Sequence, residues 1–308
     1  MSLRETLTLT LFTDNCSMNS FEKISPTALM VAYARQFTDI PYSKELSQLV
    51  NAESFVEKLD AAVEQFQGHK LDRPVETAAL FEARYKGINQ LIAEFSSSQI
   101  LELASGLLPR GMNFSQNSEN IFIESDLSAM IAQKQQLVKQ LIGNRSNLHF
   151  ENIDATSQPT QFPLNVDYLN FQKPVTVVCE GLLMYLTLEE KRMVFSNVRE
   201  LLQVYGGVWI THDLTTKENL NHRWTVSPSW HKFEETVNQM TETSLTDTHF
   251  ENFEHVQEFA TKQGFKVNKY SLLDVFEQLT CLQPLEINVD ITKSILADSS
   301  VFALTLQN

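Results

Sequence analysis

The chain has 308 residues, 43% of them hydrophobic and 20% charged, which is the balance of a folded globular protein and excludes extended disorder. Its formal net charge of -14 argues against a nucleic-acid groove. The three cysteines, Cys16, Cys179 and Cys281, are far apart and lack C-x-x-C spacing. We therefore expect a reducing compartment, with no disulfide framework and no metal site.

The N-terminal segment alternates Thr with Leu7, Leu9 and Leu11, which predicts a short strand with one apolar face. This strand could pair at an edge of the chain's own sheet or with another subunit. The segment lacks the continuous apolar core and cleavage site of a signal peptide, and no run in the sequence is long enough to cross a membrane. We expect a cytoplasmic protein that has no membrane partner.

Residues 25–95 are predicted to be helical. Ser25 followed by Pro26 is a typical helix start, and a second helix is predicted over about 45–67, with a potential break near Asn51. The third predicted helix, about 74–95, has an apolar face made of Leu80, Ile88, Leu91, Ile92 and Phe95. These helices, together with the N-terminal strand, form a predicted helical cap over residues 1–95.

Arg84 falls on the apolar face of the third helix, one turn from Leu80 and one turn from Ile88. A buried, unpaired guanidinium is very costly, so Arg84 needs an anionic partner. Two explanations remain open. The side chain could extend past the core to a surface carboxylate, or it could bind the carboxylate of a ligand.

Strands and helices alternate after residue 98, and this order is typical of an α/β protein with a parallel sheet. Between the fifth and sixth strands an insert spans about 214–247, with a helix starting near Pro228. The seven predicted strands are Ile100–Leu103, Ile121–Asp126, Leu148–Ile153, Val175–Cys179, Val208–Thr211, Phe265–Leu272 and Val301–Leu306.

A turn of small residues, Ala104, Ser105 and Gly106, follows the first strand. Ligands of open α/β sheets bind at the carboxyl ends of strands, where small residues let the backbone approach them closely. The alternative is a tight turn without a ligand. A dinucleotide is disfavoured, because the turn lacks three glycines and Pro109 removes a backbone donor. A cofactor without phosphates, such as S-adenosylmethionine, suits this turn better.

Four acidic residues stand at or just after strand ends: Asp126, Asp154, Glu180 and Asp213. Each could be the N-cap of the next helix, a position that Asp favours. Together they line one edge of the predicted sheet, where they could accept hydrogen bonds from ligand hydroxyls or an amine. For Asp126 the topology favours a cofactor, because an acidic residue after the second strand binds ribose in dinucleotide folds.

Four motifs, in order, carry a resemblance to a known family. They are Ile-Leu-Glu-Leu-Ala-Ser-Gly-Leu-Leu-Pro-Arg (100–110), Phe-Ile-Glu-Ser-Asp-Leu (122–127) followed by Lys134, then Asp154, and Cys-Glu-Gly-Leu-Leu-Met-Tyr-Leu (179–186). Together with Ser-Pro-Thr-Ala (25–28) and Ala-Arg-Tyr (83–85), they resemble the leucine carboxyl methyltransferases and the tetracenomycin-type polyketide O-methyltransferases.

The resemblance implies a class I, S-adenosylmethionine-dependent methyltransferase. Its fold would be a Rossmann-like, seven-stranded sheet, mostly parallel with the last strand antiparallel and flanked by helices. The helical cap would cover residues 1–95 and the methyltransferase domain residues 96–308.

The resemblance also implies roles for single residues in binding the methionine part of the cofactor. Arg84 would hold the cofactor carboxylate, while Ala104, Gly106 and Glu180 would lie beside the methionine moiety. Two positions depart from the family's pattern, since Ala104 replaces a glycine and Leu108 an aspartate.

For the nucleoside part, Asp126, followed by Leu127, would bind the ribose, and Asp154 with Ala155 would bind the adenine. The lysine of the eukaryotic leucine carboxyl enzymes has no match around Pro26. This difference counts against a protein C-terminus as substrate.

We therefore expect O-methylation of a hydroxyl or carboxyl group of a small molecule. Methyl transfer from a sulfonium is an in-line displacement that depends mainly on alignment. A carboxylate acceptor needs no base, whereas for a hydroxyl His212 is the best-placed candidate. Tyr185 is a second candidate catalytic residue. Both have structural alternatives, His212 as a satisfied histidine at a strand end and Tyr185 as a packing residue.

Two other functions stay open: a non-catalytic S-adenosylmethionine-binding protein and a protein C-terminal carboxyl methyltransferase. Within the insert, Trp224, Trp230 and Phe233 could cover an apolar acceptor, although their helical spacing is more typical of core. The sequence does not indicate the oligomeric state.

Overall fold

The computed structural model describes residues 25–67, 75–163, 168–241 and 248–307. The predicted N-terminal strand and Cys16 lie outside these residues. The described chain forms one seven-stranded sheet, which confirms the predicted fold class. Its strands are β1 (Gln99–Leu103), β2 (Ile121–Asp126), β3 (Leu148–Asn152), β4 (Val175–Cys179), β5 (Gly207–Thr211), β6 (Phe265–Ser271) and β7 (Ser300–Leu306).

The strand order is β3-β2-β1-β4-β5-β7-β6. Strands β1 to β5 pair in parallel, and β7 pairs antiparallel with both β5 and β6. Because β1 lies between β2 and β4, the strand order reverses at β1, and this is where open sheets bind ligands. Leu103 is in register with Cys179, so the turn after β1 and Glu180 after β4 emerge side by side.

Eleven described helices flank the sheet or precede it. They are α1 (Pro26–Arg35), α2 (Ser43–Leu49), α3 (Ala52–Gln67), α4 (Glu76–Glu94), α5 (Arg110–Phe114), α6 (Ser128–Ile142), α7 (Leu188–Tyr205), α8 (Lys217–Val226), α9 (Pro228–Thr241), α10 (Phe253–Lys262) and α11 (Val289–Ala297). Two 3-10 segments, Leu183–Tyr185 and Leu272–Gln278, complete them. In the part of the chain that the structure describes, no helix has the length and apolar character needed to cross a membrane.

The sheet separates two apolar cores, which follow from the period of two along each strand. In β1, Ile100 faces a core shared with α1, α2 and α4, whereas Leu101 and Leu103 face a core shared with α7 and α10. The N-terminal helices thus share a core with the sheet, and the domain boundary at residue 95 stays a prediction.

Several helix boundaries differ from those expected from the sequence. The potential break near Asn51 is confirmed, because α2 ends at Leu49, α3 begins at Ala52 and Asn51 adopts a left-handed φ of 50°. Phe95 is 37% exposed rather than on the buried face, because α4 ends at Glu94. Helices α8 and α11 were missed, since α8 has little apolar periodicity and α11 has only nine residues.

Candidate functional site

The turn after β1 is fixed by the carboxylate of Asp126 at the end of β2. The backbone N–H of Gly106 donates to Asp126 Oδ2 at 2.8 Å, and the N–H of Leu127 donates to Oδ1 at 2.8 Å. Gly106 has a φ of 46° and Ala104 a φ of 50°, both in the left-handed region. Asp126 therefore shapes the turn as well as facing the cavity described below.

Ala104 occupies a backbone conformation that favours glycine, at the position where the family has one. A left-handed φ costs a non-glycine residue about 1–2 kcal/mol of stability. Glycine avoids this cost but loses more conformational entropy on folding, so the substitution gains only part of that amount. We expect Ala104→Gly to raise the free energy of unfolding by about 0.5–1 kcal/mol, measured by urea denaturation. The control is Ala132→Gly on the exposed face of α6, which should lower it by about 1 kcal/mol. A loss of stability in Ala104→Gly would contradict the strained geometry.

A buried ion pair lies beneath this turn. Lys134 Nζ is 2.8 Å from Glu124 Oε2 and donates to the carbonyl of Ser105 at 3.1 Å. Burial raises the pKa of Glu124 to about 7, although Lys134 opposes this effect. A Cβ on Gly111 would lie 2.2 Å from Glu124 Oε1, so only glycine leaves room for the carboxylate. Lys134 of the second motif thus supports the loop of the first.

Glu180, at the end of β4, is surrounded by three arginines from three different elements. Arg35 Nη2 donates to Oε1 at 2.7 Å, Arg84 Nε is 3.3 Å from Oε1, and Arg110 Nη2 donates to Oε2 at 2.8 Å. Burial opposes ionisation, but the three guanidinium groups lower the pKa of Glu180 to about 2. Burial also lowers the pKa of Arg35 to about 10. The carboxylate is therefore ionised and held among three cations.

Arg110 connects Glu180 to β1. It forms a buried ion pair with Glu102, and its Nε donates a hydrogen bond to Asn89 Oδ1 at 2.9 Å. Its guanidinium carbon lies over the Tyr85 ring, 4.8 Å from the ring centre. Burial alone would lower the pKa of Arg110, but Glu102 and Glu180 raise it above its ordinary value. The arginine that ends the first motif is a structural cation below the cavity.

Arg84 is 6% exposed and does not reach the surface, so the surface-carboxylate explanation was wrong. Its Nε faces Glu180, and its guanidinium lies over the Phe81 ring at 5.4 Å. Its two terminal amino groups make no hydrogen bond to any residue that the structure describes.

Asp213 holds the loop of residues 180–186 that follows β4, which we call the signature loop. Its carboxylate accepts three backbone N–H groups, from Gly181 at 2.8 Å, Leu182 at 2.7 Å and Leu183 at 3.0 Å. Burial raises the pKa of Asp213, while Arg84 and these hydrogen bonds oppose the rise. Asp213 is thus a positioning residue and not a helix cap.

A cavity of about 1030 Å³ opens at the carboxyl edge of β1, β2, β4 and β5. Eight of the ten predicted site residues line it: Arg84, Ala104, Gly106, Asp126, Leu127, Glu180, Tyr185 and His212. The other two, Asp154 and Ala155, do not. Asp154 is exposed and accepts hydrogen bonds from the Thr156 backbone and hydroxyl, and the Ala155 carbonyl accepts one from Asn197.

His212 follows β5 and is 6% exposed. Its Nδ1 lies 2.8 Å from the carbonyl oxygen of Ser300, which can only accept, so we assign the proton to Nδ1 and leave Nε2 as an acceptor. Burial, with Arg84 and Arg223 nearby, holds the pKa of His212 well below its usual value. A neutral imidazole with a free Nε2 is the form that a general base requires.

The far wall of the cavity is apolar and aromatic. Tyr185, whose pKa burial raises, packs with Met30 and Phe233, and Trp230 is 3% exposed. Trp230 and Phe233 line the cavity, so they belong to both the core and the wall. Trp224 does not line it, and its indole N–H donates a hydrogen bond to Glu234 at 2.7 Å.

Three charged wall residues were missed from the sequence: Arg35, Arg223 and Glu234. Arg35 lies at the end of α1 and pairs with a residue 145 positions away, which no local pattern indicates. Arg223 lies on α8, which was not recognised as a helix. In the sequence, Arg223 is marked only by being a basic residue between the apolar residues Leu220 and Trp224.

Comparisons with known proteins agree with this geometry. The family model for leucine carboxyl methyltransferase matches residues 27–199, more than half of the chain. No curated protein is similar enough in sequence to match it.

Solved structures are similar to this chain at low identity, and the two with TM-scores of 0.52 share its fold. A DUF574 family protein from Streptomyces avermitilis MA-4680 has a TM-score of 0.52 and 13% identity, over 94% of this chain and 100% of that one. A candidate methyltransferase from Thermobifida fusca YX has a TM-score of 0.52 and 13% identity, over 96% and 100%. Magnesium protoporphyrin IX methyltransferase from Synechocystis PCC 6803 has a TM-score of 0.43 and 11% identity, over 74% and 87%.

The sheet order, the four motifs at its carboxyl edge and the family match lead to one assignment. The chain belongs to the leucine carboxyl methyltransferase family, and its fold is that of the S-adenosylmethionine-dependent methyltransferases.

Proposed function

We propose that this protein binds S-adenosylmethionine in the cavity and transfers its methyl group to an oxygen atom of a small molecule. One observation carries the proposal: a single cavity joins predicted cofactor-binding residues to His212 and an aromatic wall. Its volume of about 1030 Å³ is at the upper end of the range of about 300–1,000 Å³ for small-molecule sites. The space suits a cofactor and an acceptor together.

The residues present suit the cofactor. The unused amino groups of Arg84 are donors for its carboxylate, and the small residues Ala104 and Gly106 leave the backbone open beside the methionine moiety. Asp126 keeps lone pairs for ribose hydroxyls, since a carboxylate can accept about four hydrogen bonds and here accepts two. When bound, the cofactor supplies an electrophilic methyl group on a sulfonium.

The chain's own residues then orient the acceptor and accept its proton. With the cofactor bound, the aromatic wall would orient the acceptor oxygen toward the methyl group, and such alignment supplies most of the rate enhancement of a displacement. For a hydroxyl acceptor, His212 Nε2 takes the proton, while the hydrogen bond from Nδ1 to Ser300 keeps the ring oriented. A carboxylate acceptor needs no proton transfer.

Calorimetric titration tests cofactor binding. We expect heat with S-adenosylmethionine and none with NAD. Asp126→Ala should weaken S-adenosylmethionine binding at least about tenfold, because charge-assisted hydrogen bonds to the ribose are lost. The matched control is Asp274→Ala, an exposed acidic residue away from the cavity, which should leave the affinity unchanged.

The outcomes separate the alternatives. No heat with S-adenosylmethionine contradicts the proposal. Binding without methyl transfer to any acceptor in a cell extract supports a non-catalytic binding protein. Transfer to a peptide ending in a leucine carboxylate, and not to small molecules, supports a protein C-terminal carboxyl methyltransferase.

A further inference from the structure

Arg223 is a buried cation in the wall of the cavity. It is 7% exposed, lines the cavity, and lies with its guanidinium 4.9 Å from the centre of the Trp230 ring. Among the residues described by the structure, only Glu234 accepts a hydrogen bond from it, through Nη1 at 3.3 Å. A guanidinium has five N–H groups, and the hydrogen bonds to the described residues account for one of them.

Glu234 does not depend on Arg223 for its hydrogen bonds. The Trp224 indole N–H donates to Oε2 at 2.7 Å, which is shorter than the contact with Arg223. The 3.3 Å contact is also long for a charge-assisted hydrogen bond, whose ordinary length is about 2.7–2.9 Å. Glu234 therefore keeps Arg223 in place against Trp230 without saturating it.

The other charges near Arg223 leave one direction open to an anion. Asp298 acts on it from a small polar pocket that Arg223 and His212 also line, and there the Asp298 carboxylate accepts a hydrogen bond from Asn219. In the wall of the large cavity Arg223 is accompanied by Arg84, a second cation that acts on it, and by His212, Trp230 and Phe233. An anionic oxygen there meets a guanidinium, and a hydrocarbon body meets aromatic rings.

We propose that Arg223 binds a carboxylate of the methyl acceptor, which makes the acceptor an apolar, aromatic carboxylic acid. The proposal rests on the proposed function and narrows its substrate class. A planar carboxylate suits the fork of an arginine, and stacking on Trp230 already fixes the orientation of that fork. Arg223 would be an acceptor-binding residue that determines specificity.

The test measures binding of benzoate and of benzamide, its neutral isostere, to protein saturated with S-adenosylhomocysteine. We expect wild-type protein to bind benzoate at least about tenfold more tightly than benzamide. Arg223→Gln should abolish this preference and leave the affinity for S-adenosylhomocysteine unchanged. Lys232→Gln, which removes an exposed cation from α9, should keep the preference.

Glu234→Gln gives an independent test that survives if Arg223→Gln does not fold. Glutamine still accepts the Trp224 N–H, and it removes the carboxylate that competes for Arg223, so benzoate should bind several-fold more tightly. Equal affinity of wild-type protein for benzoate and benzamide would overturn the proposal, as would a Glu234→Gln variant with weaker benzoate binding. Failure to bind S-adenosylhomocysteine would instead count against the proposed function.

Discussion

Replacing Arg110 by methionine is expected to lower the free energy of unfolding by about 3–5 kcal/mol. The substitution leaves Glu102 and half of the Glu180 carboxylate without their partner, in a place where both side chains are 0% exposed. The measurement is urea denaturation at neutral pH. Arg192→Met is the matched control, because its 49% exposed side chain pairs with the exposed Glu189 and should contribute less than about 1 kcal/mol. A loss below 1 kcal/mol in Arg110→Met would contradict the account of a buried charge network.

The same network makes the free energy of unfolding fall at acid pH. The pKa of Glu180 is about 2 in the folded protein and near its ordinary 4.5 in the unfolded chain. The folded state therefore binds fewer protons than the unfolded chain in this range, and the stabilisation is complete above about pH 4.5 and lost as the pH falls toward 2. In Arg110→Met the pKa of Glu180 should rise, which moves the loss to higher pH.

Replacing His212 by glutamine should lower kcat about 10²–10⁴-fold with a hydroxyl acceptor and leave cofactor affinity unchanged. The effect arises because His212 lines the cavity with its Nδ1 bound to Ser300, which leaves Nε2 as the proton acceptor. Its lowered pKa puts the acid limb of the wild-type pH–rate profile below pH 6.5, since activity requires the unprotonated ring. This limb should be absent from the His212→Gln variant.

His222 is the matched control for that experiment. It lies on α8, is partly buried and contacts Ser294, but it does not line the cavity. His222→Gln should keep kcat within a few-fold of the wild-type value. If His212→Gln also keeps its kcat with a hydroxyl acceptor, His212 is a structural residue at a strand end.

Local sequence patterns were sufficient for the α/β class and its strands, and the family resemblance supplied the arrangement of the sheet. The short apolar runs placed all seven strands, and the Thr187 and Glu190 capping box placed the start of α7. Strand ends then placed Asp126 and Glu180 at one edge. Arg35 and Arg223 could not be located in this way, because their partners and their burial depend on tertiary packing.

The two residues to which the resemblance assigns the adenine lie away from the cavity. Asp154 and Ala155 follow β3, which lies two strands from β1 at the edge of the sheet. They line no part of the cavity, and the adenine role of both residues stays a prediction. The resemblance places them by motif order, whereas the boundary of the cavity depends on side-chain positions that motif order does not contain.

The bond between Arg35 and Glu180 has a consequence for inheritance and for protein engineering. It joins the first described helix to the signature loop, so the helix supplies both a wall of the cavity and a counter-charge for the loop. A chimaera that takes its N-terminal helix from one relative and its loop from another has to inherit the two residues together. A substitution in the insert can therefore change the cavity wall without altering that bond.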